Sequence, residues 1–211
     1  MMKYLFGLVL LFCFSCGNKE DILLPKADKT IVKEVVDLSP IYIFFRVNGK
    51  DTLAEVNRKN SIGTTNWVLN IDKRLPLRLV IPEVIKMLEK KRGDSTHKNE
   101  TAENYYSYAD SIGKNLAFLP FTKVQYKMEK PAYGVIVFFD KKNTISVNNA
   151  IVKREELQNY LDGLPSDKSN KFIFCFDKNL QYGTYIQSKI FIQTLKFSTP
   201  DLNLTNVEFI Y

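Results

Sequence analysis

The chain has one histidine, His97, and three cysteines, Cys13, Cys16 and Cys175. So small a supply of soft ligands leaves no Cys/His set for a zinc site of the usual kind. Neither a glycine-rich phosphate loop nor a Gly-x-Ser-x-Gly elbow is present, which removes the commonest nucleotide-binding and hydrolase signatures. His97 stands between Thr96 and Lys98 in the polar stretch 93–103 and reads as an exposed loop residue. No cofactor and no metal are expected. Long blocks of one charge are also missing. The formal net charge is +7, yet 30 basic residues are interspersed with 23 acidic ones, and they gather only in short clusters such as Lys90-Lys91-Arg92 and Lys141-Lys142. This pattern reads as a solvated basic surface and not as a nucleic-acid face.

No apolar run reaches the roughly 20 residues that a helix needs to cross a bilayer. What the N-terminus carries is shorter. Lys3 is followed by the apolar stretch 4–14 and then by Ser15-Cys16-Gly17. A positive start, a short apolar segment and a small residue before the cut describe a secretory signal peptide. Cys13-Phe14-Ser15-Cys16 resembles a bacterial lipobox, with Cys13 where Leu is commonest. Residues 1–15 are therefore expected to be removed and Cys16 to carry lipid, tethering an exported protein to the cell envelope. The triplet Lys19-Glu20-Asp21 looks like an acidic export tag for the cell surface, and residues 16–40 read as a tether. Loss of Cys13 and lipidation of Cys16 leave Cys175 alone, with no disulfide partner. It lies in the apolar run Phe172 to Phe176 and reads as a buried structural thiol.

The remaining composition is ordinary for a folded protein, 45% hydrophobic and 25% charged, and the length suits one large domain or two small ones. In a first block, 41–130, Ile41 to Val47 and Asp51 to Asn57 flank Asn48-Gly49 and read as a hairpin. Asn66 to Ile71 is a third strand. Pro82 is taken as the first residue of a helix running to Lys91. Tyr105, Tyr108 and Ile112 have helical spacing, which predicts a second helix over 101–114, and 118–128 is expected to return as a strand. The second block, 131–211, reads as strand 133–139, a turn at Asp140 to Asn143, strand 144–147, helix 152–164, buried strand 171–176, an ambiguous segment 182–196, and a last strand 205–211. The fold class expected is α/β (α+β): two small mixed sheets, each covered by helices.

The order of the second block, with Ile145-Ser146-Val147-Asn148-Asn149, Val152-Lys153-Arg154-Glu155-Glu156-Leu157 and Phe172-Ile173-Phe174-Cys175-Phe176 followed by Asp177 to Gly183, resembles the periplasmic domain of the ExbD/TolR biopolymer-transport family. The resemblance covers 133–211. It implies that Tyr182-Gly183 opens a helix, and that the module contacts a partner protein or the cell wall. The family's membrane-spanning helix and its aspartate have no counterpart here, so ion-driven chemistry is not implied. Asp177, Lys178, Tyr182, Gly183 and Tyr185 become the expected partner-binding residues.

Two further patterns matter. Val68 to Leu75 echoes Ile173 to Leu180 at an offset of 105 residues. Either the blocks are a duplicated module or they are two different layers sharing one core. Asp72 and Asp177 each end an apolar strand; they suit the first turn after it, with paired acid/base chemistry the remote alternative. The aromatic content of 13% leaves room for a stacking or contact face built from Tyr105, Tyr106, Tyr108, Tyr182 and Tyr185. The sequence as a whole points to a non-catalytic, lipid-anchored envelope protein, periplasmic or surface-facing. It would bind or scaffold another envelope protein or peptidoglycan; the alternative is capture of a glycan or small ligand.

Overall fold

The computed structural model describes residues 21–93, 99–164, 171–197 and 206–211. The expected signal peptide over 1–15, Cys16 and His97 lie outside the described residues. The fold is α+β, with two six-stranded mixed sheets. The first contains β1 (Lys26–Ala27), β2 (Leu38–Asn48), β3 (Asp51–Asn57), β4 (Asn66–Ile71), β5 (Asn104–Asp110) and β6 (Asn115–Pro120). The second contains β7 (Gln125–Lys127), β8 (Val135–Phe139), β9 (Ile145–Val147), β10 (Ala150–Val152), β11 (Phe172–Phe176) and β12 (Val207–Ile210). Among the described residues three helices accompany them: α1 (Leu77–Gly93), α2 (Leu157–Asp162), preceded by a 3-10 turn at Arg154–Glu156, and α3 (Tyr182–Ile192).

Asn48-Gly49 forms the predicted hairpin, with Gly49 at φ 61° where a side chain would be strained. Asn148 and Asn149, at φ 48° and 72°, make the second tight turn between β9 and β10. The segment 182–196, ambiguous by periodicity, is helical through Ile192.

The two sheets share an inner order. In the first, β2 pairs antiparallel with β3 and parallel with β4, which pairs parallel with β5. In the second, β8 pairs antiparallel with β9 and parallel with β11, which pairs parallel with β12. A helix, α1 or α3, follows the central strand in each. Residues 105 apart occupy equivalent places, and these places meet. Leu77 N–H donates to Leu180 O (3.0 Å) and Tyr182 N–H to Leu75 O (2.8 Å). Arg78 N–H donates to Lys178 O (2.7 Å) and Gly183 N–H to Lys73 O (3.0 Å). Pro76 faces Gln181 at the centre. Each bond has its counterpart under exchange of the halves, so the joint has local two-fold symmetry.

Several expectations are corrected. The predicted helix over 101–114 is strand β5. Tyr106 and Tyr108 alternate onto the core face, aromatic side chains favour such a pleated, half-buried surface, and Ile112 is exposed. The strand expected over 118–128 is split into β6 and β7, and β7 joins the second sheet beside β12. The block boundary expected at 130 therefore leaves β7, a strand of the second sheet, with the first block. Pro82 is inside α1 and not at its start. The helix begins earlier because the joint supplies carbonyl acceptors for the N–H groups of Leu77 and Arg78. The tether expected over 16–40 is, from residue 21 on, part of the fold. Leu23 O accepts from Lys73 N–H (2.7 Å), Pro25 O from Ala109 N–H (2.9 Å), and Leu38 to Pro40 belong to β2.

One apolar cluster serves both halves. Ile41, Leu69, Val80 and Val84 of the first lie in it with Val137, Leu161, Phe176 and Ile186 of the second. Leu75 and Leu180, equivalent across the joint, are both fully buried. A shared core predicts shared unfolding. Leu180→Ala should cost about 2–5 kcal/mol and lower the thermal midpoint equally by circular dichroism and by fluorescence of Trp67, the sole tryptophan, which lies in the other half. An unmoved Trp67 transition would mean that the halves unfold independently.

Candidate functional site

The residues predicted to contact a partner converge on the joint. Asp177 closes the turn after β11: its Oδ1 accepts the Asn179 N–H at 2.7 Å, and its own N–H donates to Phe139 O at 2.9 Å. Asp72 does the same after β4, with Oδ1 accepting from Arg74 N–H at 3.0 Å. Each thus takes the turn role its position suggests. Asp72 also accepts both Arg74 guanidinium bonds and the Leu23 N–H. Burial pushes its carboxyl up, but the Arg74 and Leu23 donors outweigh that and hold it below the ordinary value. Lys178 is exposed, while its backbone serves the joint. A Cβ on Gly183 would sit 3.0 Å from the Cβ of Lys73; the glycine lets α3 approach the first half.

Tyr182 and Tyr185 do not form an external contact face. Both are fully buried between the halves. Of the five tyrosines considered as a binding surface, Tyr106 and Tyr108 are also buried, and Tyr105 alone is half-exposed. Their physical role is internal. Tyr106 stacks on Phe121 (centroids 3.8 Å apart) and meets Tyr182 and Tyr185 edge-on. The Tyr106 and Tyr126 hydroxyls are 2.8 Å apart, and Tyr185 donates to Glu208 Oε2 at 2.7 Å. Glu208 is buried and paired with Lys189. Burial raises all four phenols, Tyr106, Tyr126, Tyr182 and Tyr185, well above their ordinary value, so they act as neutral hydrogen-bonding groups. The Tyr182 hydroxyl has no partner among the described residues.

The joint occupies the carboxyl ends of the central strands, where α/β folds usually hold ligands. Open space lies at the opposite end of the first sheet. A cleft of about 650 Å³ is lined by Ile62, Thr64, Leu88, Lys91, Asn104 and Thr122, and also by Arg92, Asn99 and Glu100. One wall is the loop before β4, fixed by the Trp67 indole N–H on Ile62 O (2.8 Å) and by Asn99 donating to Thr64 O (2.9 Å). The other is the last turn of α1, which carries Lys91. The Lys91 ammonium donates to Thr65 O (3.0 Å) and Asn104 Oδ1 (2.9 Å), and lies 4.8 Å from the centre of the Trp67 ring. No carboxylate pairs with it among the described residues. Burial lowers it to about 8. Two of the three ammonium N–H groups are engaged by neutral acceptors among the described residues, and the third is what the cleft can offer an anion. The sequence showed Lys91 only as one of three consecutive basic residues; its place over Trp67 depends on residues 24 positions apart being brought together.

Among the described residues no three His, Cys, Asp or Glu side chains are grouped to hold a metal ion, and no helix is long and apolar enough to cross a membrane. Cys175 is buried and burial pushes its thiol up to about 12. Comparison with protein families, curated proteins and solved structures found no match to this chain.

The tyrosine interior makes a contrast measurable. Tyr182→Phe removes a hydroxyl that has no partner among the described residues and should leave stability within about 0.5 kcal/mol of wild type or raise it. Tyr185→Phe deprives Glu208 of a donor and should cost about 1–3 kcal/mol. Denaturant midpoints of the two variants give the comparison; equal losses would contradict it.

Proposed function

We propose that the protein is a non-catalytic, lipid-anchored binding protein of the bacterial cell envelope that captures a small anionic ligand in the Lys91 cleft. The observation that carries this reading is the cleft itself. Its volume of about 650 Å³ lies within the range of roughly 300–1,000 Å³ usual for small-molecule sites, and Lys91 in its wall has no ion-pair partner among the described residues. Apolar Ile62 and Leu88 beside the amides and hydroxyls of Asn104, Thr64 and Thr122 suit a glycan or peptide fragment bearing a carboxylate. Export and anchoring rest on the signal-like N-terminus and on Cys16.

The resemblance to the ExbD/TolR family favours a second reading, contact with another envelope protein or with peptidoglycan. The link from Asp177 to Tyr185, which that reading relies on, is spent on the chain's own first half. A carboxylate-bearing wall fragment in the Lys91 cleft would unite the two readings. We also read the halves as a duplicated module, supported by their equal inner strand order and by the reciprocal bonds of the joint.

Trp67 reports on the cleft directly. Carboxylated sugars and short acidic peptides are expected to change its emission and raise the thermal midpoint. Lys91→Met, which keeps an aliphatic stem over the ring, should weaken binding about tenfold or more. The ammonium is charged below about pH 8 and loses its proton as pH rises through that value, so affinity should fall there in wild type and stay flat in Lys91→Met. Binding indifferent to both the substitution and pH would defeat the proposal. Anchoring has its own check: Cys16→Ser should move the protein from the membrane fraction to the soluble one.

A further inference from the structure

A second groove, of about 520 Å³, runs between the halves. The first half contributes Lys26, Asp28 and Lys29 from the segment around β1; the second contributes Asn143, Arg154 and Phe191. Three cations face one carboxylate, Asp28, and both lysines are exposed. Arg154 is the fixed element. Its guanidinium stacks on the Phe191 ring at 4.5 Å and donates through Nη2 to Asn143 Oδ1 at 3.2 Å. Asn143, at φ 64° in the β8–β9 turn, also accepts from Ser188 Oγ at 3.3 Å, so the acceptor that aims Arg154 is itself held. No carboxylate pairs with Arg154 among the described residues. Burial lowers it somewhat while Asp28 works the other way, and so basic a group stays charged throughout. The neutral side chains are less available: Ser111 Oγ donates to Ala27 O and Gln187 Nε2 to Lys26 O. What the groove offers a ligand is a stacked, pre-aimed guanidinium with two mobile ammonium groups around it.

We propose that this groove is an anion site that takes a phosphate group. A planar fork suits two oxygens of one phosphate, and flanking lysines suit the charge that remains. Lys29 and Lys26 adapt to an ester of either small or large bulk because they lie at the open side. The phosphate can belong to a phospholipid headgroup or to a soluble ester. Lys26 is ten residues from Cys16, a reach of at most about 35 Å, so the anchored protein can bring the groove to the bilayer surface. The site does not depend on the Lys91 cleft being a ligand site. Only the headgroup source depends on the anchor.

The test uses the mature chain with Cys16→Ser, so that no lipid of its own holds it to a membrane. Two probes are titrated: inorganic phosphate, followed by calorimetry, and vesicles of phosphatidylglycerol mixed with phosphatidylcholine, followed by co-sedimentation. Saturable binding of either, weakened about tenfold or more in Arg154→Gln, supports the site; phosphate binding indicates a soluble source and vesicle binding alone a headgroup. Lys26→Gln with Lys29→Gln changes exposed side chains only. It should weaken the same probe several-fold at an unchanged thermal midpoint, which keeps the test valid if Arg154→Gln unfolds. Binding of neither probe overturns the proposal. So does binding that both variants leave intact, since that is the behaviour of a generally basic surface.

Discussion

The rest of the structure depends on four backbone hydrogen bonds. The first turns of α1 and α3 present N–H groups that no intrahelical carbonyl can accept. Neither helix answers this locally in the usual way. Gln181, before α3, makes no side-chain cap. Instead the carbonyls of Leu180 and Lys178 accept from α1, and those of Leu75 and Lys73 accept from α3. Each half completes a helix of the other. A half on its own would leave two N–H groups and two carbonyls without their partners, next to leucines that have no access to solvent. This explains how a continuous core and a single joint arise from two sheets that share no strand pairing.

The joint also determines what the interior between the halves can contain. Tyrosines fill it because a large ring can pack while its hydroxyl reaches another polar group. The chain from Tyr106 through Tyr126 and Tyr185 ends at Glu208 and Lys189. Such a buried pair adds little net stability compared with apolar packing, but it penalises any arrangement that separates its members. It therefore holds α3 against β12 within the second half, and the Tyr106–Tyr126 bond is the link of this series that reaches across to the first half. The Tyr182 hydroxyl, without a partner among the described residues, is the exception, and it lies where the equivalent residue of the first half is Leu77.

Two open regions follow from this arrangement. With the carboxyl ends of the central strands facing each other, space for ligands remains at the opposite end of the first sheet and along the seam between the halves. The first region holds Lys91 over Trp67. The second holds Arg154 over Phe191. In both, a cation is laid on an aromatic face and aimed by an asparagine oxygen, Asn104 in one and Asn143 in the other. Each is partly desolvated and has no ion-paired carboxylate among the described residues, a setting in which a bound anion makes charge-assisted hydrogen bonds. A protein with a basic surplus has many lysines in water; these two positions differ because the fold has limited their freedom.

Much of the fold was legible in the chain. Asn48-Gly49, the apolar strands ending at Asp72 and Asp177, and the echo between them follow from local rules: turn chemistry, alternation and strand-ending acids. The sequence by itself determined the fold class, the hairpins and the turn roles of both aspartates, because these depend on neighbours a few residues apart. It misread 101–114, where tyrosines at helical spacing belong to a strand whose partner lies 37 residues upstream. It also assigned Tyr182 and Tyr185 to a surface, since nothing in a tyrosine states which side of it will meet water. Only the tertiary structure decided that the link after β11 closes on its own counterpart, that residues 21–40 belong to the fold, and that Lys91 and Arg154 stand apart from the other basic residues. Those outcomes depend on contacts between segments tens of residues apart, and burial, pairing and desolvation exist only once such segments have met.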